Sequence, residues 1–402
     1  MDSVERMGGG RVAVQLDAVA KDAFDNGNDG SSSEKEFGFL RIVSTMAVLQ
    51  KKLGDDLPLS VGDWVELLLS ANTSITGPWV WSLQLRDNRF IGLEETGRPW
   101  RGKLVSLRRL ASVHDPFEPR PLGASVPAIR SKGAALKARY SLLNVAQPKP
   151  PAIVNAYLRR WGRAWRTSMP AALDVGQASF NVITPRLTNE PMLYFDVGQP
   201  IWFHLHNAPF GFSPPCSDAG IVILSHWDTD HYAFGRQNPK FHEKIWIAPA
   251  QSSVGPNANK FAQLLQKSGH LLLVGTGKSS RHRHGVRIVR CSGQSMNGSG
   301  LALHLRTFGR DILFTGDADY HEIPSMRGVR LSGLQIPHHG GKMAKEAIIP
   351  QSTFPSRAVI SCGRPNRYNH PNGSTIQDHL GANWKVEITA DMPQAPRGSK
   401  FL

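Results

Sequence analysis

At 402 residues the chain has room for two to three domains of roughly 100–200 residues each, and its 40% hydrophobic content with ten tryptophans excludes a disordered polymer. The 47 Lys and Arg against 32 Asp and Glu leave a net charge of +15, which predicts a polyanionic partner: nucleic acid, a phosphorylated substrate or an anionic surface. No apolar run approaches the roughly 18–20 residues of a membrane span, and the opening MDSVERMGGGRVAVQ has no signal-like apolar core. Cys216, Cys291 and Cys362 are scattered and form no CxxC pair, which predicts a reducing, cytoplasmic setting without membrane association.

In chain order, residues 25–36 (DNGNDGSSSEKE) read as a polar loop. Phe37, Leu40, Ile42, Met46, Leu49 and Leu53 then form a loosely helical stripe, which predicts an amphipathic helix over Glu36–Leu53. Between Leu59 and Val113 short apolar runs broken by Gly, Pro, Asp and Asn predict a small β-rich module. Pro148, Pro150 and Pro151 mark a linker, so the expected division is 1–150 and 151–402. The segment 153–167 reads as a basic helix. Its Arg159, Arg160, Arg163 and Arg166, interleaved with Trp161 and Trp165, make either a phosphate-binding ridge or an amphipathic helix with core tryptophans. Beyond Pro170 strand-like runs recur, several followed at once by polar clusters, the pattern of an α/β domain with its site in the loops at strand ends.

Four of these clusters carry chemistry. Directly after the apolar run Gly220–Leu224 comes Ser225-His226-Trp227-Asp228-Thr229-Asp230-His231, with four metal-ligand side chains inside six residues. Asp317 follows DILFTG, where a carboxylate standing clear at a strand end can bridge two ions or simply make a turn. His338 and His339 follow another strand and precede two glycines, which suits one ligand and one neighbour that either supports the ligands or meets the substrate. The loop Ser361–Pro371 holds Arg364, Arg367, Tyr368 and His370, side chains able to bind an oxyanion and deliver a proton, or to form an ordinary basic surface loop. Asp174 and Asp196 each end a strand beside Val-Gly-Gln.

Taken in order, LDVGQAS, YFDVG, LSHWDTDH, NGSGLAL, LFTGDAD, IPHHGG and ISCGRPNRYNHP resemble the metallo-β-lactamase fold superfamily. They look most like its ComEC-type branch, the soluble domain attached to bacterial DNA-uptake channel proteins. The resemblance spans about residues 170–375 and implies an α/β, four-layer αββα sandwich with a dinuclear metal site at one edge. The helix and small β-rich module precede it. Carried over residue by residue, His226 and Asp228 would hold one divalent ion, and Asp230 and His231 the other. Asp317 would bridge them and His338 would complete the second site, with His339 the competing ligand. Asp196 matches an orienting aspartate, Asp174 and Gln177 a branch-specific strand end, and His370 a late histidine near the substrate. Asp228 stands where the commoner motif has His, and Asn297-Gly298-Ser299 where a third-motif histidine is usual. Both changes make the set richer in oxygen and weaken the preference for zinc over manganese. Ala178-Ser179 replaces the branch's Gly-Asp. No channel accompanies the domain, which disfavours DNA import by this chain.

The implied function is a metal-dependent hydrolase, foremost a phosphodiesterase or nuclease acting on DNA or RNA. Asp230, Asp317 and His370 would be the catalytic residues, and Arg364 and Arg367 would hold the phosphate. The alternatives are a hydrolase of small molecules (nucleotide, phosphoester or lactone) and a partner-dependent defence-system subunit engaged through the amino-terminal region.

Overall fold

The computed structural model describes residues 3–6, 9–19, 37–54, 59, 62–86, 89–90, 101–111, 126–188, 190–200, 207–209, 211–277, 280–281, 285–323, 328–366, 368–390 and 397–402. The chain divides into two compact units, residues 1–144 with 252–261 and residues 145–251 with 262–402. No helix among the described residues is long and apolar enough to cross a membrane.

The first unit is built on a seven-stranded antiparallel sheet. Its order is Ser3–Arg6, Arg11–Val19, Phe37–Thr45, Trp79–Arg86, Arg101–Ala111, Trp64–Ser70, with Arg89–Phe90 beside Trp79–Arg86. Four of these strands lie between Leu59 and Val113, and the expected helix over Glu36–Leu53 is corrected in its first half. Phe37–Thr45 is a strand paired on both sides, and only Met46–Leu53 is helical. The reason is period. Leu40 and Ile42 alternate onto the face that packs with Val12, Val14, Leu16, Val80 and Leu104, and this aromatic and β-branched run suits a pleated surface. Helical spacing begins only after Thr45, whose side chain caps Val48 N at 3.3 Å, and it buries Leu49 and Leu53.

The second unit holds two further seven-stranded sheets in a mixed α/β arrangement. One runs Leu271–Val274, Trp246–Pro249, Ile221–Ile223, Leu193–Val197, Phe180–Pro185, Ser168–Ala172, Lys400–Phe401, and its first four strands are parallel. The other runs Ser280–Arg281, Val286–Arg290, Leu301–Thr307, Arg310–Phe314, Arg330–Gln335, Gln351–Ile360, Lys385–Ile388, and its last four are parallel. One apolar core joins them. Leu193, Phe195 and Ile223 of the first pack with Leu303, Ile312 and Phe314 of the second, and the Phe195 and Phe314 rings lie 5.5 Å apart. On the other side of the second sheet, Leu313, Leu334 and Ile360 pack with Ile376 of the helix Gly373–Gly381 and with Trp384.

Trp165 belongs to the core shared by the two sheets. It is fully buried, with Nε1 donating to Leu158 O at 2.9 Å, so it is packing and not a phosphate-stacking ridge. The helix expected over 153–167 is also interrupted. Pro151–Arg159 is α-helical, and Gly162, at φ +47°, opens a separate 3-10 turn through Thr167.

Parallel strands end together, and the loops that leave them gather at one rim. Asp196 lies at such an end, and the segment Ser225–His231, Asp317, the histidine pair 338–339 and the loop to His370 follow others, the usual place for chemistry in an α/β fold.

Candidate metal centre

Asp196, one residue before the end of its strand, takes left-handed backbone at φ +59°, and its carboxylate reaches across to the neighbouring strand end. Oδ1 accepts from Ser225 N at 2.7 Å, and Oδ2 accepts from Ser225 Oγ at 3.0 Å and from His231 Nδ1 at 2.8 Å. A fully buried carboxylate needs such partners. With Nδ1 donating to Asp196, His231 turns Nε2 to the rim, 3.2 Å from Asp317 Oδ1 and 3.7 Å from Asp230 Oδ1. His226, fully buried beside it, faces Ser225 Oγ with Nδ1 at 3.0 Å. Its Nε2 lies 3.2 Å from Asp228 Oδ2 and 3.8 Å from Asp317 Oδ2. Asp317 thus faces His231 with Oδ1 and His226 with Oδ2. The preceding Gly316, at φ +59°, has no room for a side chain, since a Cβ there would sit 2.5 Å from Ser225 Cβ.

The histidine pair sits on a turn in which His338, His339 and Gly340 all take left-handed backbone, at φ +50°, +52° and +75°. Non-glycine residues pay strain for this conformation. The turn aims the two rings differently. His339 is buried, donates Nδ1–H to Ser361 O at 2.7 Å, and places Nε2 3.2 Å from Asp230 Oδ2 and 4.0 Å from Asp317 Oδ1. His338 is half exposed, with Nε2 3.8 Å from Asp317 Oδ2. Two groups of ligand atoms therefore gather, His226 with His231 and Asp317, and Asp230 with His231 and His339.

Three buried polar atoms in this cluster have no hydrogen-bond partner among the described residues: His231 Nε2, His339 Nε2 and Asp228 Oδ1. Buried polar atoms are ordinarily satisfied. Imidazole nitrogens and carboxylate oxygens converging on one spot are the donors a divalent cation takes, so the residues present fit a metal.

The charges are mutually adjusted. Burial pushes Asp317 up, but His231, His338 and His339 outweigh it and hold the carboxyl well below its usual range. Asp230 is likewise opposed by burial, and His231 and His339 bring it down to about 2. Burial works against protonation of His231 and His339, yet the surrounding carboxylates raise both. At His370, Asp317 and Asp230 act in the same sense but are outweighed. Burial, then His338 and His339, push it down to about 3.

The remaining expected residues lie around this cluster. His370 stacks on Tyr368, with ring centroids 5.5 Å apart, and meets the His338 ring edge-on at 5.3 Å. Arg364 is exposed on the same loop, and Arg367 lies outside the described residues. Asp174 does not join the metal-ligand cluster; Arg397 holds it with Nε–Oδ2 at 2.5 Å and Nη2–Oδ1 at 3.0 Å. Of the run 281–284, residues 282–284 lie outside the described residues.

Sequence reasoning missed several supports. Gln251 accepts from Trp227 N at 3.3 Å and donates to Ser299 Oγ at 2.9 Å, tying the His226 loop to the Asn297 loop. Asn297 in turn places Nδ2 3.4 Å from Asp317 Oδ2. Arg290 is buried and donates to Gly300 O and Ala250 O, both at 3.2 Å. Only a polar residue just after an apolar strand hinted at Gln251, and nothing local marked Arg290.

No family model matches the chain. ComE operon protein 3 of Bacillus subtilis strain 168 is 26% identical over 179 residues, 42% of this chain and 23% of that protein. Recombination protein 2 of Haemophilus influenzae is 25% identical over 230 residues, 54% of this chain and 27% of that protein. The chain thus spans about a quarter of the length of the curated relatives it matches. Among solved structures, the hydrolase AbOPH of the beta lactamase superfamily is 14% identical, with a TM-score of 0.25, covering 43% of this chain and 65% of that one. An N-acyl homoserine lactone hydrolase with its product bound at the catalytic metal center is 16% identical, with a TM-score of 0.23, covering 38% and 74%. Both curated relatives agree with the resemblance drawn from the motifs: the chain resembles the ComEC-type branch of the metallo-β-lactamase fold superfamily.

Proposed function

We propose that this chain is a two-metal hydrolase of phosphodiesters, a nuclease or phosphodiesterase, working in a reducing, cytoplasmic setting. The observation that carries the reading is Asp317, which faces His226 with one oxygen and His231 with the other amid buried ligand atoms that make no hydrogen bond among the described residues. One zinc or manganese ion would take His226, Asp228 and Asp317, and the other Asp230, His231, His339 and Asp317. The domain would have the four-layer αββα form, supported by the two sheets that share a core. Bound divalent ions lower the pKa of a shared water and clamp the attacking and leaving oxygens of a phosphoryl centre.

The protein's own groups supply the rest. Asp196 and Ser225 fix the ring planes of His231 and His226, so the ligand set needs no rearrangement to receive a cation. His370 faces the substrate beside His338, and Arg364 adds a positive charge on the same loop. The +15 charge favours a phosphate-rich polymer through sequence-independent attraction.

The test is a panel of plasmid, single-stranded DNA, RNA and bis-p-nitrophenyl phosphate, each with Mn²⁺ and Zn²⁺. Cleavage of a polymer that disappears in Asp230→Ala supports the nuclease. Cleavage of the small diester alone moves the assignment to a small-molecule hydrolase. No reaction, together with an intact biological phenotype in Asp230→Ala, overturns the enzyme reading in favour of a partner-dependent subunit.

A further inference from the structure

Of the five imidazoles at the site, four (His226, His231, His339 and His370) have an Nδ1 whose partner is defined. His231 Nδ1 meets the Asp196 carboxylate, His339 Nδ1 meets Ser361 O, and His226 Nδ1 meets Ser225 Oγ, itself a donor to Asp196. Oxygen acceptors fix a ring proton on Nδ1 in these three, so that the neutral ring a cation would bind has its Nε2 lone pair pointing into the cluster. His370 is the exception. Its Nδ1 lies 3.4 Å from Gln177 Nε2, an amide nitrogen that can only donate.

The Gln177 side chain is not free to turn over. It is 2% exposed, and its Oε1 accepts from Gly363 N at 3.3 Å, which leaves the NH₂ end for His370. Nδ1 of His370 is therefore an acceptor, and the neutral ring must carry its proton on Nε2. That Nε2 lies against Gly341, where a Cβ would come within 2.9 Å, on the turn that bears His338 and His339. Among the described residues it takes no hydrogen bond. The loop cannot easily swing, because Asn366 accepts from His370 N at 3.0 Å and donates to His370 O and Gly363 O, each at 2.6 Å. Behind Gln177, the Arg397–Asp174 pair holds Gly176 N at 3.2 Å from Asp174 Oδ1.

We infer that Gln177 is a positioning residue. It imposes the Nε2–H tautomer on His370, so that this ring offers a hydrogen bond to the leaving oxygen of the substrate, while its three neighbours offer lone pairs to cations. The inference deepens the phosphodiesterase reading and its catalytic part rests on it. The assignment of the ring proton does not.

The experiment uses the full chain labelled with ¹⁵N-histidine and loaded with Zn²⁺, with His370 assigned by loss of its signals in His370→Gln. Long-range proton–nitrogen correlations should show His370 protonated on Nε2, and His226, His231 and His339 on Nδ1. Gln177→Glu keeps the shape and the bond from Gly363 N, but replaces the amide donor with an acceptor, so His370 should reverse to Nδ1–H. Its kcat should then fall about 10²-fold on an oligonucleotide, whose alkoxide leaving group needs the donor. It should change little on bis-p-nitrophenyl phosphate, whose leaving group does not. A merely structural role for Gln177 predicts equal losses on both substrates. A wild-type His370 protonated on Nδ1 overturns the inference without any variant having to fold. Reversal of the tautomer with kcat on the oligonucleotide unchanged overturns the catalytic part. A wild-type protein with the stated tautomer but inert to every phosphodiester overturns the phosphodiesterase reading and the donor role with it, while the control of the ring by Gln177 stands.

Discussion

Asp196 Oδ2 lies 2.8 Å from His231 Nδ1, and the opposite nitrogen of that ring lies 3.2 Å from Asp317 Oδ1. A carboxylate behind a ligand histidine fixes its tautomer and raises its basicity, so Asp196 would act on a cation held by His231 without touching it. Asp196→Asn should weaken metal affinity about 10–100-fold in a competition titration against a fluorescent chelator. Asp311→Asn removes the 2.8 Å partner of His304 on the second sheet and should leave that affinity unchanged.

The two adjacent histidines separate by burial. His339 reaches Asp230 at 3.2 Å from a buried position, whereas His338 is half exposed. Metal analysis should therefore find about one ion fewer per chain in His339→Ala, and full stoichiometry in His338→Ala. Metal at about 100 times its dissociation constant should stabilise the wild type by about 2.7 kcal/mol, and removal by chelation should reverse this. In Asp317→Ala the thermal shift on adding metal should vanish.

Burial, outweighing the nearby Arg290, pushes the Cys291 thiol up to about 12, and burial against Arg364 does the same to Cys362. Neither holds an appreciable thiolate fraction near neutrality. In the native protein at pH 8, a thiol reagent should modify Cys216 alone, and in denaturant all three cysteines.

Trp165 sits at the centre of the core between the two sheets, so Trp165→Ala should cost about 3–5 kcal/mol in a denaturant titration. Arg163→Ala, on the same 3-10 turn, should change stability by less than about 0.5 kcal/mol.

His379 is held below its ordinary pKa, chiefly by burial, with Nδ1 donating to Thr375 O at 2.6 Å and Nε2 accepting from Tyr320 Oη at 2.7 Å. The unfolded chain binds a proton here at a higher pH than the folded one. This group's stabilisation is therefore present above the unfolded value, about 6.5, and is lost as pH falls below it. The melting temperature of wild type should drop more steeply between pH 7.5 and 5 than that of His379→Gln, which should itself be about 1–3 kcal/mol less stable at pH 7.5.

What the sequence displayed best was what lies close along the chain. His226, Asp228, Asp230 and His231 fall inside six residues after a strand, and folding adds little to that grouping. The choice between His338 and His339 was not legible, because it depends on consecutive left-handed residues that no side-chain pattern announces. The strand Phe37–Thr45 was masked by a stripe that fitted both periods until pairing on each side decided it. The partners of Asp174 and Gln177 lie about two hundred positions away, at Arg397 and His370, and only the fold brings them together.

The candidate ligand atoms come from two sheets that share one core: His226, Asp230 and His231 leave the end of one sheet, Asp317 and His339 the ends of the other. A pair of cations shared between them would act as a clasp on the rim. Stripping the metal would then loosen the seam between the layers from that edge inward. Hydrogen exchange should quicken first in 225–231 and 315–341, while Phe195 and Phe314 deeper in the seam stay protected.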